Sequence, residues 1–154
     1  MNKEFHKRIN DIAKRIDLSQ NAFNLDSESD VLSILENDRS NKIEKLSTAL
    51  KNLGILNGDR VIIVSENRPE WLISDLAIML ANGITVPAYT TYTEKDYKYL
   101  IEDCQPSVII ISNDGIHDKL KNIIQEKNFI KKIITFDELK KIEQKDKYLK
   151  FDSI

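Results

Sequence analysis

Along the 154-residue chain the spacing of apolar positions changes partway through. At the start it is helical. Phe5, Ile9, Ile12 and Ile16 are spaced to line one face of a helix over residues 1–17. Residues 18–29 are dominated by polar side chains, among them Ser19, Gln20, Asn21, Asn24, Asp26, Ser27, Glu28 and Ser29, and predict a loop. Val31, Ile34 and Leu35 form a second helical set. Ile43, Leu46, Leu50 and Leu53 form a third, closed by Gly54 in the position glycine favours just past a helix end.

Beyond Asn57-Gly58-Asp59, a turn signal, short continuous β-branched runs take over. Val61-Ile62-Ile63-Val64 has the composition of a parallel strand buried on both faces. The spacing then predicts a helix over 69–82, with Asn67 or Arg68 before it, Pro69 in its first position and Gly83 after it. Ile84-Thr85-Val86 predicts a second strand. Thr93 and Asp96 have capping-box spacing at the head of a helix running to about Asp103. Val108–Ile111 predicts a third strand, 116–127 a helix, Ile133–Phe136 a fourth strand and 138–149 a last helix. This alternation implies an α/β fold: a doubly wound, largely parallel sheet with helices on both faces, preceded by N-terminal helices. The expected division is an N-terminal helical extension over 1–40 and an α/β subdomain over 41–154. The 69–82 helix fits, because Glu70, Ser74, Asp75 and Asn82 leave it only a narrow polar stripe.

Composition narrows the function classes. The net charge of −2 gives no overall attraction to nucleic acid. One cysteine, Cys104, excludes an internal disulfide framework and suits a reducing compartment. No apolar run reaches the ~20 residues of a membrane span, and the N-terminus carries no apolar signal segment, so a cytoplasmic location is expected. The 1–17 helix sets Lys3, Lys7, Arg8, Lys14 and Arg15, diluted by Glu4, Asp11 and Asp17, opposite its apolar face. Peripheral membrane contact is the lesser expectation for it, and a surface helix covering the fold the plainer one.

Candidate chemistry is sparse. Gly54, Gly58, Gly83 and Gly115 lie too far apart for a phosphate-cradling glycine loop. His6 and His117 are isolated and Cys104 has no cysteine partner, so no metal set emerges. No GxSxG elbow is present. The alternation also suits a receiver-like domain, but the first strand ends in Ser65-Glu66 and the fourth in Phe136-Asp137, without that domain's clustered aspartates. What remains is the row of strand ends: Ser65-Glu66-Asn67-Arg68, Tyr89-Thr90-Thr91 and Ser112-Asn113-Asp114 on one rim, where open α/β sheets bind ligands. The plainer reading is that Asn67, Thr93 and Asp114 cap helices and the rest are solvated.

Taken in order, Leu53-Gly54, Gly58-Asp59-Arg60-Val61, Glu66-Asn67-Arg68-Pro69-Glu70-Trp71 and the segment Leu80–Tyr89 resemble the N-terminal part of the AMP-forming acyl-CoA synthetases, most of all their long-chain fatty acid–CoA ligase branch. The resemblance covers 46–112 closely and 113–136 loosely, and it fades before Ile43. Glu36 stands where the family usually has an aromatic residue. It implies a parent enzyme that uses ATP, Mg2+ and coenzyme A to activate a fatty acid. The family's phosphate loop, adenine and ribose contacts and catalytic lysine lie beyond the matched region. No catalytic, cofactor-binding or metal-ligating residue is therefore assigned in this chain. The expected role is scaffold in a ligase fragment, with the remainder of the synthetase or a second copy as partner. A free-standing, non-catalytic α/β binding or regulatory module is the alternative. Within the Glu66–Trp71 string, Pro69 presets the first helical turn and Trp71 anchors the helix to the sheet, a structural role.

Overall fold

The computed structural model describes residues 39–154. The helix expected at 1–17, the loop at 18–29 and the pattern of Val31, Ile34 and Leu35 lie outside the described residues. The first described helix, α1 (Arg39–Asn52), buries Ile43, Leu46 and Leu50, as their spacing requires. It closes in a Schellman motif: Ile55 N–H donates to Leu50 O, Gly54 N–H donates to Lys51 O, and Gly54 takes the left-handed conformation, φ +81°.

There follow β1 (Arg60–Val64), α2 (Pro69–Leu80), β2 (Ile84–Ala88), α3 (Glu94–Cys104), β3 (Val108–Ile111), α4 (Asp114–Glu126), β4 (Lys132–Thr135) and β5 (Tyr148–Lys150). Single-turn 3-10 helices flank β5 at Lys145–Lys147 and Phe151–Ser153. The five strands form one parallel sheet in the order β2-β1-β3-β4-β5. The β-branched runs are buried on both faces. Val61, Ile63, Val108, Ile110 and Ile134 pack under α1 and α2, while Ile62, Val64, Ile109, Ile111 and Ile133 pack under α3 and α4. Fully burying one such side chain is worth about 1.5–3 kcal/mol. The doubly wound parallel α/β fold is thus as the alternation predicts.

Four local expectations need correction. The 138–149 segment is not a helix. After Leu139 and Ile142, the next helical positions fall on Lys145 and Asp146, so the apolar stripe has no third turn, and Gln144 is left-handed, φ 55°. Tyr148 and Leu149 instead alternate between the two core faces, and β5 takes up the ladder groups that β4 would otherwise leave open. The helix expected over 69–82 ends at Leu80, and the left-handed residue that follows is Asn82, φ 65°. Gly83 N–H reaches Ile78 O at 2.9 Å, and glycine is needed there for space: a Cβ would meet Ile78 Cγ2 at 3.0 Å and Asp59 O at 3.3 Å. The cap of α4 is Asn113, whose Oδ1 accepts from Ile116 N–H at 3.1 Å, and not Asp114. Asn67 caps nothing, since the N-cap of α2 is Arg68, whose side chain makes no capping bond. The Thr93–Asp96 box at the head of α3 forms as expected.

Candidate functional site

In a 2-1-3-4-5 sheet the strand order reverses between β1 and β3, and the crevice at their carboxyl ends is where such folds bind ligands. The chain segments that leave those two strands are Ser65–Arg68 and Ser112–Asn113. They meet directly: Asn113 Nδ2 donates to Glu66 Oε1 at 2.7 Å and is 3.0 Å from Ser112 Oγ. The same amide group therefore caps α4 through its oxygen and closes the crevice through its nitrogen. Partial burial alone would raise the Glu66 pKa. The side chains of Ser112 and Asn113, its own backbone and the charge of Arg68 outweigh that and hold the carboxyl below its ordinary value.

To one side of this pair, Arg68 ties α2 to the end of β4. Its Nε donates to Glu70 Oε2 at 2.9 Å and its Nη1 to Asp137 Oδ1 at 3.0 Å, with the guanidinium 5.3 Å from the centre of the Phe136 ring. To the other side, the loop after β2 is fixed by a ladder of tyrosines. Tyr89 meets Tyr92 edge-to-face at 5.5 Å and Tyr92 meets Tyr97 at 5.7 Å. Tyr97 Oη donates to Tyr89 O at 2.8 Å. Burial, with Tyr92 and Glu66 nearby, pushes the Tyr97 hydroxyl up to about 12. Lys119 spans the same loop, donating to Thr90 O at 2.9 Å and Tyr92 O at 3.1 Å. The rim thus gathers Glu66, Arg68, Tyr89, Thr90, Ser112 and Asn113, as the alternation implies. Lys119 and Asp137 join them from distant parts of the chain, a meeting that no local motif signals.

This geometry supports joints rather than chemistry. The two rim cations are engaged, Arg68 by carboxylates and Lys119 by carbonyls. Glu66 and Asp137 bring carboxylates to this rim, the wrong sign for a nucleotide phosphate. Among the described residues no group of three or more His, Cys, Asp or Glu converges as a metal site would. His117 is buried and pairs with Tyr148, Nε2 to Oη 2.9 Å. Among the described residues the rim therefore does not fit ATP or its metal. Elsewhere, a depression of about 930 Å³ on the outer side of α1, bounded by Lys42, Lys45, Asn52 and Ile154, is open, and its lysines are surface side chains.

An open, wholly parallel sheet with a polar rim at its switch point defines the broad class, a doubly wound α/β domain. A family profile described as AMP-binding enzyme matches residues 37–152, and the chain belongs to that family. It is 34% identical over 78 residues to the long-chain-fatty-acid–CoA ligase FadD15 of Mycobacterium tuberculosis, covering 51% of this chain and 13% of the relative. It is 31% identical over 98 residues to fatty acyl-CoA synthetase A of Dictyostelium discoideum, covering 64% and 14%. The chain thus spans about a seventh of the length of these relatives. Among solved structures, the anthranilate CoA ligase AuaEII in complex with anthranoyl-AMP superposes with a TM-score of 0.67 at 24% identity, over 75% of this chain and 21% of that one. Coronafacic acid ligase from Pectobacterium brasiliense gives 0.66 at 24%, over 74% and 22%. These two establish the shared fold. Nothing in the comparisons favours the free-standing module.

Proposed function

We propose that this chain is the N-terminal scaffold of an AMP-forming long-chain fatty acid–CoA ligase. In the parent reaction a fatty acid carboxylate attacks the α-phosphorus of ATP to give acyl-adenylate and pyrophosphate, and the thiol of coenzyme A then displaces AMP. Mg2+ accompanies the ATP. The observation that carries the reading is the coincidence of the family match over 37–152 with the ligase names of the relatives. The chain's own share is positional: Glu66, Arg68 and Asn113 lock the carboxyl ends of β1, β3 and β4 into one frame. Its partners on this reading are the rest of the synthetase or a second copy, and a fatty acid for the whole enzyme.

A chimera tests it. Residues 37–152 would replace the aligned segment of the Bacillus subtilis long-chain-fatty-acid–CoA ligase, which is 39% identical over 66 residues. Retained ATP- and CoA-dependent palmitoyl-CoA formation is expected. A folded chimera that binds ATP but makes no acyl-CoA from any fatty acid would overturn the reading. The chain alone is expected to show no ATP–pyrophosphate exchange. Among the described residues no helix is long and apolar enough to cross a membrane. The proposal places the enzyme in the cytoplasm, with peripheral membrane contact through residues 1–17 as the lesser reading. It is tested by salt-sensitive co-sedimentation with anionic vesicles, which loss of Phe5 and Ile9 should abolish.

A further inference from the structure

Among the described helices, α2 alone lacks an outward polar side. α1, α3 and α4 each present exposed charged residues, such as Lys45, Glu102 and Lys121. From Glu70 to Ala81, α2 has no exposed residue. Ile73, Leu76 and Leu80 turn one row into the core. On another side Trp71, Asp75 and Met79 recur every fourth residue with Leu72 beside them, a second row of three large apolar side chains and a single acid. Each of these four is half-buried. The described elements packed closely against α2 are α1, β1 and β2. A helix that is apolar on nearly every side needs cover on every side.

Residues 1–38 carry two apolar sets, and they differ in length and charge. Phe5, Ile9, Ile12 and Ile16 extend over 12 residues, about 18 Å as a helix, and α2 is also 12 residues long. Arg8 and Arg15, seven apart, border that face and bring positive charge to a row whose one charge is Asp75. Val31, Ile34 and Leu35 make the shorter set. They lie in a stretch, residues 18–38, with five acids and no lysine, arginine or histidine. Laid on α2, that stretch would set acid against acid. Fully extended, residues 18–38 span up to about 70 Å, and the helix they lead into, α1, packs directly on α2.

We infer that residues 1–17 dock as an amphipathic helix on the Trp71–Met79 row of α2, with Phe5, Ile9, Ile12 and Ile16 against it. The segment closes the side of α2 that α1 and the sheet do not reach. A second copy of this chain is the poorer occupant. The row is already half-buried within one chain, and a symmetric pairing would oppose two Asp75 carboxylates. The same four apolar side chains cannot serve α2 and a lipid surface at once, so docking and membrane contact exclude each other.

The test uses the full 154-residue chain, in which Trp71 is the single tryptophan. Nuclear Overhauser contacts are expected between the Phe5 ring or the Ile9, Ile12 and Ile16 methyls and the Trp71 ring or Met79 methyl. A mixture of labelled and unlabelled chain should show these contacts to be within one molecule. Ile12→Asp with Ile16→Asp should shift Trp71 emission to the red and steepen its quenching by acrylamide, while the Ile110 amide at the sheet centre stays slow to exchange. Val31→Asp with Ile34→Asp should leave Trp71 emission where it is. Absence of the contacts in the natural chain overturns the inference, and that result needs no variant to fold. Contacts found only between molecules would assign the row to a second copy and overturn it too. So would Trp71 emission that responds to the Val31 and Ile34 changes but not to those at Ile12 and Ile16.

Discussion

Asn113 Nδ2 lies 2.7 Å from Glu66 Oε1, joining two residues 47 positions apart, one just past β1 and the other just past β3. The same side chain accepts the Ile116 N–H through its oxygen, so both ends of one amide are committed. Asn113→Ala should therefore cost more than a simple cap, about 1–2 kcal/mol in urea unfolding. Asn113→Asp separates the two roles. It keeps the cap acceptor but replaces the donor to Glu66 with a second carboxylate. Its deficit should be large at neutral pH and shrink in acid as the pair takes up protons. A pH-independent deficit would mean that the Glu66 contact contributes nothing.

Gly83 shows how a glycine can be required without unusual torsions. A Cβ there would press on Ile78 Cγ2 at 3.0 Å, and Ile78 is fully buried. Gly83→Ala should destabilise the chain by about 1–3 kcal/mol, the usual range for overpacking a filled core. Thermal unfolding reads it. Pairing the change with Ile78→Leu, which lacks the Cγ2 branch that the new Cβ would meet, should recover part of the loss.

Asp75 and His117 should tilt the pH–stability curve in opposite directions. Burial raises the Asp75 pKa, with Thr85 pulling weakly the other way. A raised acid favours its neutral form in the fold, so its stability contribution is present below the unfolded value near 4 and is lost as pH rises through the folded value. Asp75→Asn should therefore stabilise the chain at neutral pH and make little difference in strong acid. Chemical denaturation at several pH values gives the comparison, and an Asn variant less stable at pH 7 would contradict it.

The open sheet, its face-by-face alternation and most helix starts were legible because each rests on local chemistry: β-branched runs for β1 and β3, Pro69 for α2, the Thr93–Asp96 pair for α3. The strand order was not, since nothing in Val61–Val64 or Val108–Ile111 says which strand becomes the neighbour. With the order hidden, the meeting of Glu66 and Asn113 at the switch point was hidden too. β5 was misread because its three residues carry too short a period-two signal to outweigh the helix-forming lysines and glutamates before it. Asn82 was missed for a different reason. Asparagine and glycine compete for the left-handed position, and the adjacent Gly83 was the stronger sign although it serves packing.

His117 provides the last test. It is 5% exposed on α4, and its Nε2 lies 2.9 Å from Tyr148 Oη on β5, with the rings edge-to-face at 5.5 Å. Burial lowers its pKa, and Asp118 and Asp114 on the same helix offset this only in part, while Lys121 adds to it. The folded state therefore prefers neutral His117. Here the unfolded chain binds the extra proton, so stability rises with pH and is lost as pH falls through the unfolded value of about 6.5. His117→Gln keeps a polar group near Tyr148 but cannot titrate. Relative to it, the natural chain should lose stability between about pH 7 and 5, a window set by the unfolded histidine. The loss should be felt first where the pair acts. Hydrogen exchange at Leu149, within β5, should quicken with acidification more than at Ile110 in the sheet centre, once both are corrected for intrinsic rates. A natural chain that runs parallel to the Gln variant across that window would show that protonated His117 is accommodated in place, with Tyr148 Oη accepting in the proton's new direction.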